Sequence, residues 1–385
     1  MTDNMILVAT TYAGLEEVLA GELVALGADE IQVLRRAVCF RGGMEMVLRT
    51  NYALRTALRV LMPLKSFRVF RVDDLYHQAS KIHWEDHFSA KQTFAVQSTV
   101  FSSMFSNSMF ASLKLKDAIV DRFRRVSGRR PSVDVKKPDV LINLHLSADS
   151  CTVSLDSSGE SLHKRGYRSG NHEAPLSEVL AAGLLKLSGW TAKEPLADPM
   201  CGSGTVAIEA AMMAAQVMPG ELGRNYAFMN WKNYNPDLFE QVKRNFSNCD
   251  PEVVIYGSDL LRRNIRLTAV SAERAGVAEL LRLQVADFRS LIQKSDCSFL
   301  LFNPPYGERL IPGDDAFYAM LGERLKHGFT GSEAWIISTP ACFRNIGLRP
   351  ARKIPLYNGS IPCSFRKFEL YRGSRKKKSA AAVPS

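Results

Sequence analysis

The sequence predicts an α/β protein in two parts, a small mixed α/β unit followed by a domain built on a largely parallel sheet. Beyond Glu178, short β-prone apolar runs alternate with segments of helical periodicity, the succession expected of parallel strands joined by helices. Before Glu178 several strand-like runs are separated only by short turns, as in hairpins. The length, 385 residues, exceeds one typical core and suits two compact domains with room for a small third.

Met5–Thr10 is apolar and β-prone, and Leu15, Val18, Leu19, Leu23 and Leu26 then recur at helical spacing, giving a strand and a helix. Ile31–Leu34 and Ala37–Phe40 read as strands meeting near Arg35-Arg36, followed by a helix around Met44–Leu54 and a strand around Ala57–Leu64. Asp73-Asp74 places acid in the first turn of the next helix, Thr93–Val100 is a strand, and Ser108–Val126 is a long helix stopped before Gly128. Leu141–Leu146 and Thr152–Leu155 form a hairpin around Ala148–Ser150, and the turn Ser157-Ser158-Gly159 puts the domain boundary at 160–170. In the second part, strands are expected at Pro195–Asp198, Val253–Ser258, Leu281–Val285, Phe299–Asn303 and Ala334–Thr339. Helices are expected over 203–216, 237–247, 262–275 and 315–328, and a strand-rich stretch, Phe365–Tyr371, follows the Asn358-Gly359 turn.

Hydrophobic residues make up 46% and charged residues 23%, and no eighteen-residue run is both apolar and uncharged, so no membrane span is expected. The N-terminus, MTDNMILVATTYAGLEE, lacks a basic n-region and acquires acid early, which argues against targeting and makes the cytoplasm the expected compartment. Seven scattered cysteines never spaced C-x-x-C indicate neither a disulfide framework nor a zinc site, and no metal is expected.

The net charge of +11 is uneven. Residues 60–137 hold fourteen Lys/Arg against seven Asp/Glu, and residues 372–378 hold five basic residues and no acid, so two patches are suited to a polyanion. Arg124, Arg125, Arg129, Arg130, Lys136 and Lys137 are the candidate nucleic-acid contacts of the first patch.

The turn Asp198-Pro199-Met200-Cys201-Gly202-Ser203-Gly204-Thr205 lies between an apolar strand and an apolar-periodic helix, where α/β sheets bind ligands. Its glycines permit a tight turn and close approach of a ligand, and the N–H groups of the new helix favour an anionic group. A dinucleotide fingerprint nearly survives, with Ala207 as its third small residue, but Asp198 would then face a pyrophosphate; a Walker loop fails because no Gly-Lys-Ser/Thr follows. An acid before the turn suits a ligand bearing an ammonium and a sulfonium, which points to S-adenosyl-L-methionine. Asp259 and Asp287 end the next two expected strands, so that three strand-end acids stand in register; Asp259 is suited to both ribose hydroxyls, Asp287 to the adenine amine, and Phe288 to stacking on the base. Each of these acids taken alone is also a plausible helix N-cap.

After the fourth strand of this part comes Asn303-Pro304-Pro305-Tyr306, a loop whose prolines fix φ and push each preceding residue to extended conformations. Its chemistry fits methyl transfer to an amine conjugated into a ring. The Asn303 side-chain oxygen and the Pro304 carbonyl would accept the two amino hydrogens, and Tyr306 would stack on the base. A base inside a duplex would first have to be flipped out.

Together with Leu162-His163-Lys164-Arg165-Gly166-Tyr167-Arg168, Ala174-Pro175-Leu176, Gly307-Glu308-Arg309 and Leu356-Tyr357-Asn358-Gly359, these motifs make the chain resemble the THUMP-domain class I methyltransferases, and most closely the bacterial 23S rRNA (guanine-N2)-methyltransferases. The resemblance covers nearly the whole chain. It implies a ferredoxin-like subdomain over 1–64, an RNA-binding THUMP domain over 65–160, a Rossmann-like methyltransferase domain over 161–375 whose sheet ends in an antiparallel hairpin, and a basic tail over 376–385. It also implies that Arg168 and Pro175 neighbour the cofactor, that Arg309 contacts RNA, and that the partner is 23S rRNA. Some relatives carry a second methyltransferase after this one, and with the sequence ending at Ser385 that second reaction is not expected. Asn-Pro-Pro-Tyr also serves adenine-N6 and protein-glutamine methyltransferases, so the loop specifies an amine acceptor and only the likeness selects guanine. A tRNA guanine, an adenine, and a non-catalytic RNA-binding assembly factor stay open as alternatives.

Overall fold

A computed structural model describes residues 4–105, 107–170, 176–306 and 315–371. The chain forms two compact units, one comprising Met1–Arg168, Ser177–Gly183 and Ala215–Cys249, the other Ser169–Leu176, Leu184–Ala214 and Asp250–Ser385. Among the described residues no helix is long and apolar enough to cross a membrane.

The first unit is built on strands β1 (Met5–Thr10), β2 (Asp29–Leu34), β3 (Ala37–Gly42), β4 (Arg59–Arg68), β5 (Thr93–Phe101), β6 (Ser132–Val133), β7 (Val140–Ser147) and β8 (Ser150–Asp156). They form one sheet in the order β2-β3-β1-β4-β8-β7-β5-β6. The expected hairpins are present: Leu34 pairs with Ala37 across Arg35-Arg36, and Ser147 with Ser150 across Ala148-Asp149. Helix Ser108–Ser127 begins at Asn107, whose side chain accepts the Phe110 N–H at 2.8 Å, and stops at Gly128 with φ 66°. It buries Ala111, Leu115, Ala118, Ile119 and Phe123, the last packed on Phe88 with ring centroids 5.0 Å apart, and so turns Arg124 and Arg125 outward. Helix Pro236–Arg244, expected in sequence among the elements of the parallel sheet, packs instead in this first unit: Phe239 meets Tyr52 edge to face at 6.1 Å.

The second unit carries β9 (Leu196–Asp198), β10 (Ile255–Asp259), β11 (Leu281–Val285), β12 (Phe299–Phe302), β13 (Glu333–Ser338), β14 (Arg352–Asn358) and β15 (Ile361–Glu369) in the order β11-β10-β9-β12-β13-β15-β14. The first five are parallel, and β15 and β14 close the sheet as an antiparallel hairpin. β12, held between β9 and β13, reads Phe-Leu-Leu-Phe and is buried at every residue, whereas β11 at the edge is largely exposed. The order doubles back at β9, so the carboxyl ends of β9, β10 and β12 converge where such sheets bind ligands.

Candidate active site

Asp198 ends β9 and is only 2% exposed. Its Oδ1 accepts a long bond, 3.4 Å, from the Met200 N–H. Burial pushes this carboxyl up to about 8; the Met200 bond opposes the shift and the neighbouring Asp259 adds to it. The turn that follows is tied to β10, because the Cys201 N–H donates to the Ser258 carbonyl at 2.8 Å and Ser258 Oγ to the Pro199 carbonyl at 3.2 Å. Gly204 has φ 76°, and a Cβ there would lie 2.2 Å from Cγ2 of Thr268, on helix Arg262–Arg274. Only glycine meets both conditions. Thr268 Oγ1 shares its proton between the Asn264 carbonyl at 2.9 Å and the Gly202 carbonyl at 3.2 Å, and Ser203 Oγ lies 3.3 Å from Thr205 Oγ1. Cys201 is buried, and burial first, then Asp198 and Asp259, push its thiol well up, leaving it inert.

The three acids do not stand in one row. Asp198 pairs with Gly257, two residues short of Asp259; Asp259 pairs with Val285, two residues short of Asp287. Each acid is thus staggered outward by two residues, a step that keeps Asp198 and Asp259 on the same side of the sheet because side chains alternate. Asp259 is also more committed than expected. Its Oδ2 accepts the Gly202 N–H at 3.0 Å, and its Oδ1 accepts the Leu261 N–H and Asn264 Nδ2, each at 2.8 Å. A carboxylate offers about four acceptor sites, so one remains for a further donor rather than the two that a pair of ribose hydroxyls needs. Asp287 closes a local turn, accepting the Arg289 N–H at 2.9 Å, with the Arg289 guanidinium 3.5 Å away. Phe288 is turned into the core: it is 5% exposed and stacks on Phe329 at 5.4 Å, so that face of the ring is not available to a ligand.

Asn303 follows β12, whose partner strand β9 carries the glycine turn. Asn303 Oδ1 is buried and has no hydrogen-bond partner among the described residues. The loop beyond it is anchored. Tyr318 Oη donates to the Pro305 carbonyl at 3.2 Å, and Asn358 Nδ2 donates to Tyr306 Oη at 2.8 Å. Tyr306 is 5% exposed. The sequence gives Asn264, Thr268 and Tyr318 no mark beyond helical spacing, while Asn358 stands in Leu356-Tyr357-Asn358-Gly359.

Arg168 belongs to the first unit, where its guanidinium donates to Glu178 Oε1 at 2.7 and 3.1 Å. Arg124, Arg125, Arg129, Arg130, Lys136 and Lys137 also lie on that unit and are exposed. Asp134 Oδ1 accepts the Lys136 and Lys137 N–H groups at 2.9 and 3.0 Å, folding that stretch into a turn. Pro175, Arg309 and the basic run 372–378 lie outside the described residues. A cavity of about 230 Å³ in the second unit, bounded by Tyr256, Leu283, Ile292 and Phe329, touches Pro199 and Ser258 but none of the three acids or Asn303.

A sheet ordered this way, with a glycine turn after β9 and Asn-Pro-Pro-Tyr after β12, is the class I methyltransferase fold. The chain belongs to the RMKL-like methyltransferase domain family, which matches residues 165–367; ahead of it a RlmL ferredoxin-like domain matches residues 6–61 and a THUMP domain residues 71–156. A Synechocystis sp. protein named as an RNA methyltransferase is 36% identical, covering 94% of this chain and 96% of the relative. The ribosomal RNA large subunit methyltransferase K/L of Syntrophotalea carbinolica is 38% identical over 94% of this chain, which spans about half, 53%, of that longer protein. The crystal structure of SMU.472, named as a methyltransferase and complexed with SAH, superposes with a TM-score of 0.86 at 30% identity, covering 97% of this chain and 100% of that one.

Proposed function

We propose that this protein methylates the exocyclic N2 amine of a guanine in RNA, with 23S rRNA as its substrate and S-adenosyl-L-methionine as its methyl donor. The observation that carries the reading is Asn303 Oδ1. Among the described residues this buried acceptor meets no donor, a state that costs about 1–3 kcal/mol, and the substrate amine is the donor that would satisfy it. Asn303 Oδ1 and the Pro304 carbonyl accept the two amino hydrogens, draw the nitrogen lone pair out of conjugation with the ring, and stabilise the positive charge that develops there. Tyr306 flanks the base.

The residues around the glycine turn fit the donor. Asp198 is a buried carboxyl that meets no cation among the described residues, which matches an ammonium group; Pro199–Thr205 supply a close backbone approach, Asp259 one free acceptor site, and Asp287 a second carboxylate. When bound, the cofactor supplies a methyl group carried on a sulfonium. The exposed Arg124, Arg125, Arg129, Arg130, Lys136 and Lys137 hold phosphates, in a module of ferredoxin-like (1–64) and THUMP (65–160) parts ahead of the catalytic domain (161–375). The likeness to a ribosomal RNA large subunit methyltransferase supports rRNA over other acceptors. Nucleoside mass spectrometry of 23S rRNA, tRNA and DNA from cells with and without the gene tests this. Loss of N2-methylguanosine from 23S rRNA is expected; loss from tRNA alone would move the substrate, and loss of N6-methyladenine from DNA would overturn the reading.

A further inference from the structure

Pro304 and Pro305 have no N–H, so the middle of the loop after β12 offers no backbone donor to tie it to the sheet. Bonds to a loop carbonyl and to its tyrosine hydroxyl help to set its position. Two such bonds come from later elements, one 13 and one 52 residues on. Tyr318, on helix Asp315–Gly328, donates to the Pro305 carbonyl and lies 2.5 Å from Ser338 Oγ at the end of β13. Burial pushes the Tyr318 hydroxyl up, so it stays protonated and remains a donor. Asn358 donates to Tyr306 Oη at 2.8 Å, and Cys363 Sγ lies 3.8 Å from the same oxygen.

Asn358 is well placed to act as a fixed point. It is the last residue of β14 and pairs with Ile361 across a tight connection in which Gly359 has φ 63°. β15 is laddered to β13 from Glu333 to Ser338, and β13 to β12 up to Phe302, the residue before Asn303. The hairpin, the strand and the loop form one braced frame. Within it Pro305 and Tyr306 are held, while Asn303 Oδ1 faces no protein donor among the described residues.

We propose that Asn358 is a positioning residue: by fixing the Tyr306 hydroxyl it keeps the Asn303–Tyr306 loop in the geometry that receives the substrate amine. The inference rests on the reading of this loop as the amine-binding element. It gives the Leu356-Tyr357-Asn358-Gly359 motif a task that a hairpin turn alone does not require.

The test is a double-mutant cycle of Asn358→Ala and Tyr306→Phe in the full-length protein, with methyl transfer to rRNA, cofactor binding by calorimetry, and hydrogen exchange of the peptide spanning residues 299–306. Asn358→Ala should lower kcat about five- to tenfold, the value of one hydrogen bond, while cofactor affinity changes less than about twofold. Tyr306→Phe removes the same bond from its other end with the ring retained, so Asn358→Ala added to it should change kcat by less than about twofold. Exchange in the 299–306 peptide should rise in either single variant, and peptides of the first unit should be unaffected. Multiplicative losses of kcat, or unchanged exchange in that peptide, overturn the proposal. The exchange readout needs no turnover, so wild-type protein that fails to methylate rRNA would defeat the functional reading and still leave the positioning contact judged. Should Asn358→Ala not fold, Tyr306→Phe alone must show the loosened loop and the kcat loss.

Discussion

The Gly202 N–H donates to Asp259 Oδ2 at 3.0 Å, joining the glycine turn after β9 to the acid that ends β10. Two motifs that are separate in sequence are one brace in space. Asn264 and Thr268, one helical turn apart, complete it, Asn264 by donating to Asp259 and Thr268 by donating to the Gly202 carbonyl. The turn is thus held from both of its peptide faces before any ligand arrives.

Gly204→Ala should damage this brace twice, through the positive φ and through the 2.2 Å approach to Thr268 Cγ2. A loss of about 1–3 kcal/mol in stability is expected, with weakened cofactor binding. Adding Thr268→Ala removes the Cγ2 and Oγ1 contacts but leaves Cβ 2.9 Å away, leaves the positive φ and gives up the bond to the Gly202 carbonyl, so thermal unfolding should recover only in part. Full recovery would show that φ is not limiting, and no loss at all would show that the turn is not held as described.

In the proposed mechanism Asn303→Ala should lower methyl transfer by about a hundredfold or more, since there it removes a preorganised acceptor at the reacting nitrogen. Stability should not fall, because Oδ1 has no protein partner to lose among the described residues. Calorimetry should show the cofactor bound as in the wild type. Activity within about threefold of wild type would remove Asn303 from the chemistry.

The buried Asp198 carboxyl is pushed up to about 8 from an ordinary value of 3.8. Between those values the folded protein keeps a proton that the unfolded chain has released, so stability falls as pH rises through this window and is lowest above about 8. Asp198→Asn should be free of that decline and at pH 9 should exceed wild type by at least about 1 kcal/mol, roughly 2–4 °C in Tm. A cationic ligand needs the ionised carboxyl, so wild-type cofactor affinity should climb from pH 6 to 8 while the Asn variant binds weakly at every pH. Parallel Tm–pH curves for the two proteins would contradict a carboxyl raised by burial.

Reversing Arg124, Arg125, Arg129 and Arg130 to Glu should weaken RNA binding and flatten its salt dependence, because each lost phosphate contact removes about 0.7–0.9 from the slope of log K against log salt. These side chains are exposed, so the fold and cofactor binding should persist. An unchanged salt slope would place the RNA elsewhere on the protein.

Much of the fold was legible because it is encoded locally. Alternation, helical spacing and turn residues acting over about ten positions located Met5–Thr10 and Leu281–Val285 as they stand in the structure and Ser108–Ser127 within a residue. Glycines, prolines and strand-end acids marked the two turns after β9 and β12, since those residue types are what such backbone geometry demands. Tertiary structure decided the rest, which depends on which strands become neighbours. The stagger of Asp198, Asp259 and Asp287 is a matter of register, and the burial of Phe288 on Phe329 and the packing of helix Pro236–Arg244 with the first unit follow from where apolar surface finds a partner. The Gly202–Asp259 and Tyr306–Asn358 bonds join residues 57 and 52 positions apart. No periodicity spans such a distance: a hydrogen bond of this kind exists only once the sheet order has brought its donor and acceptor within about 3 Å.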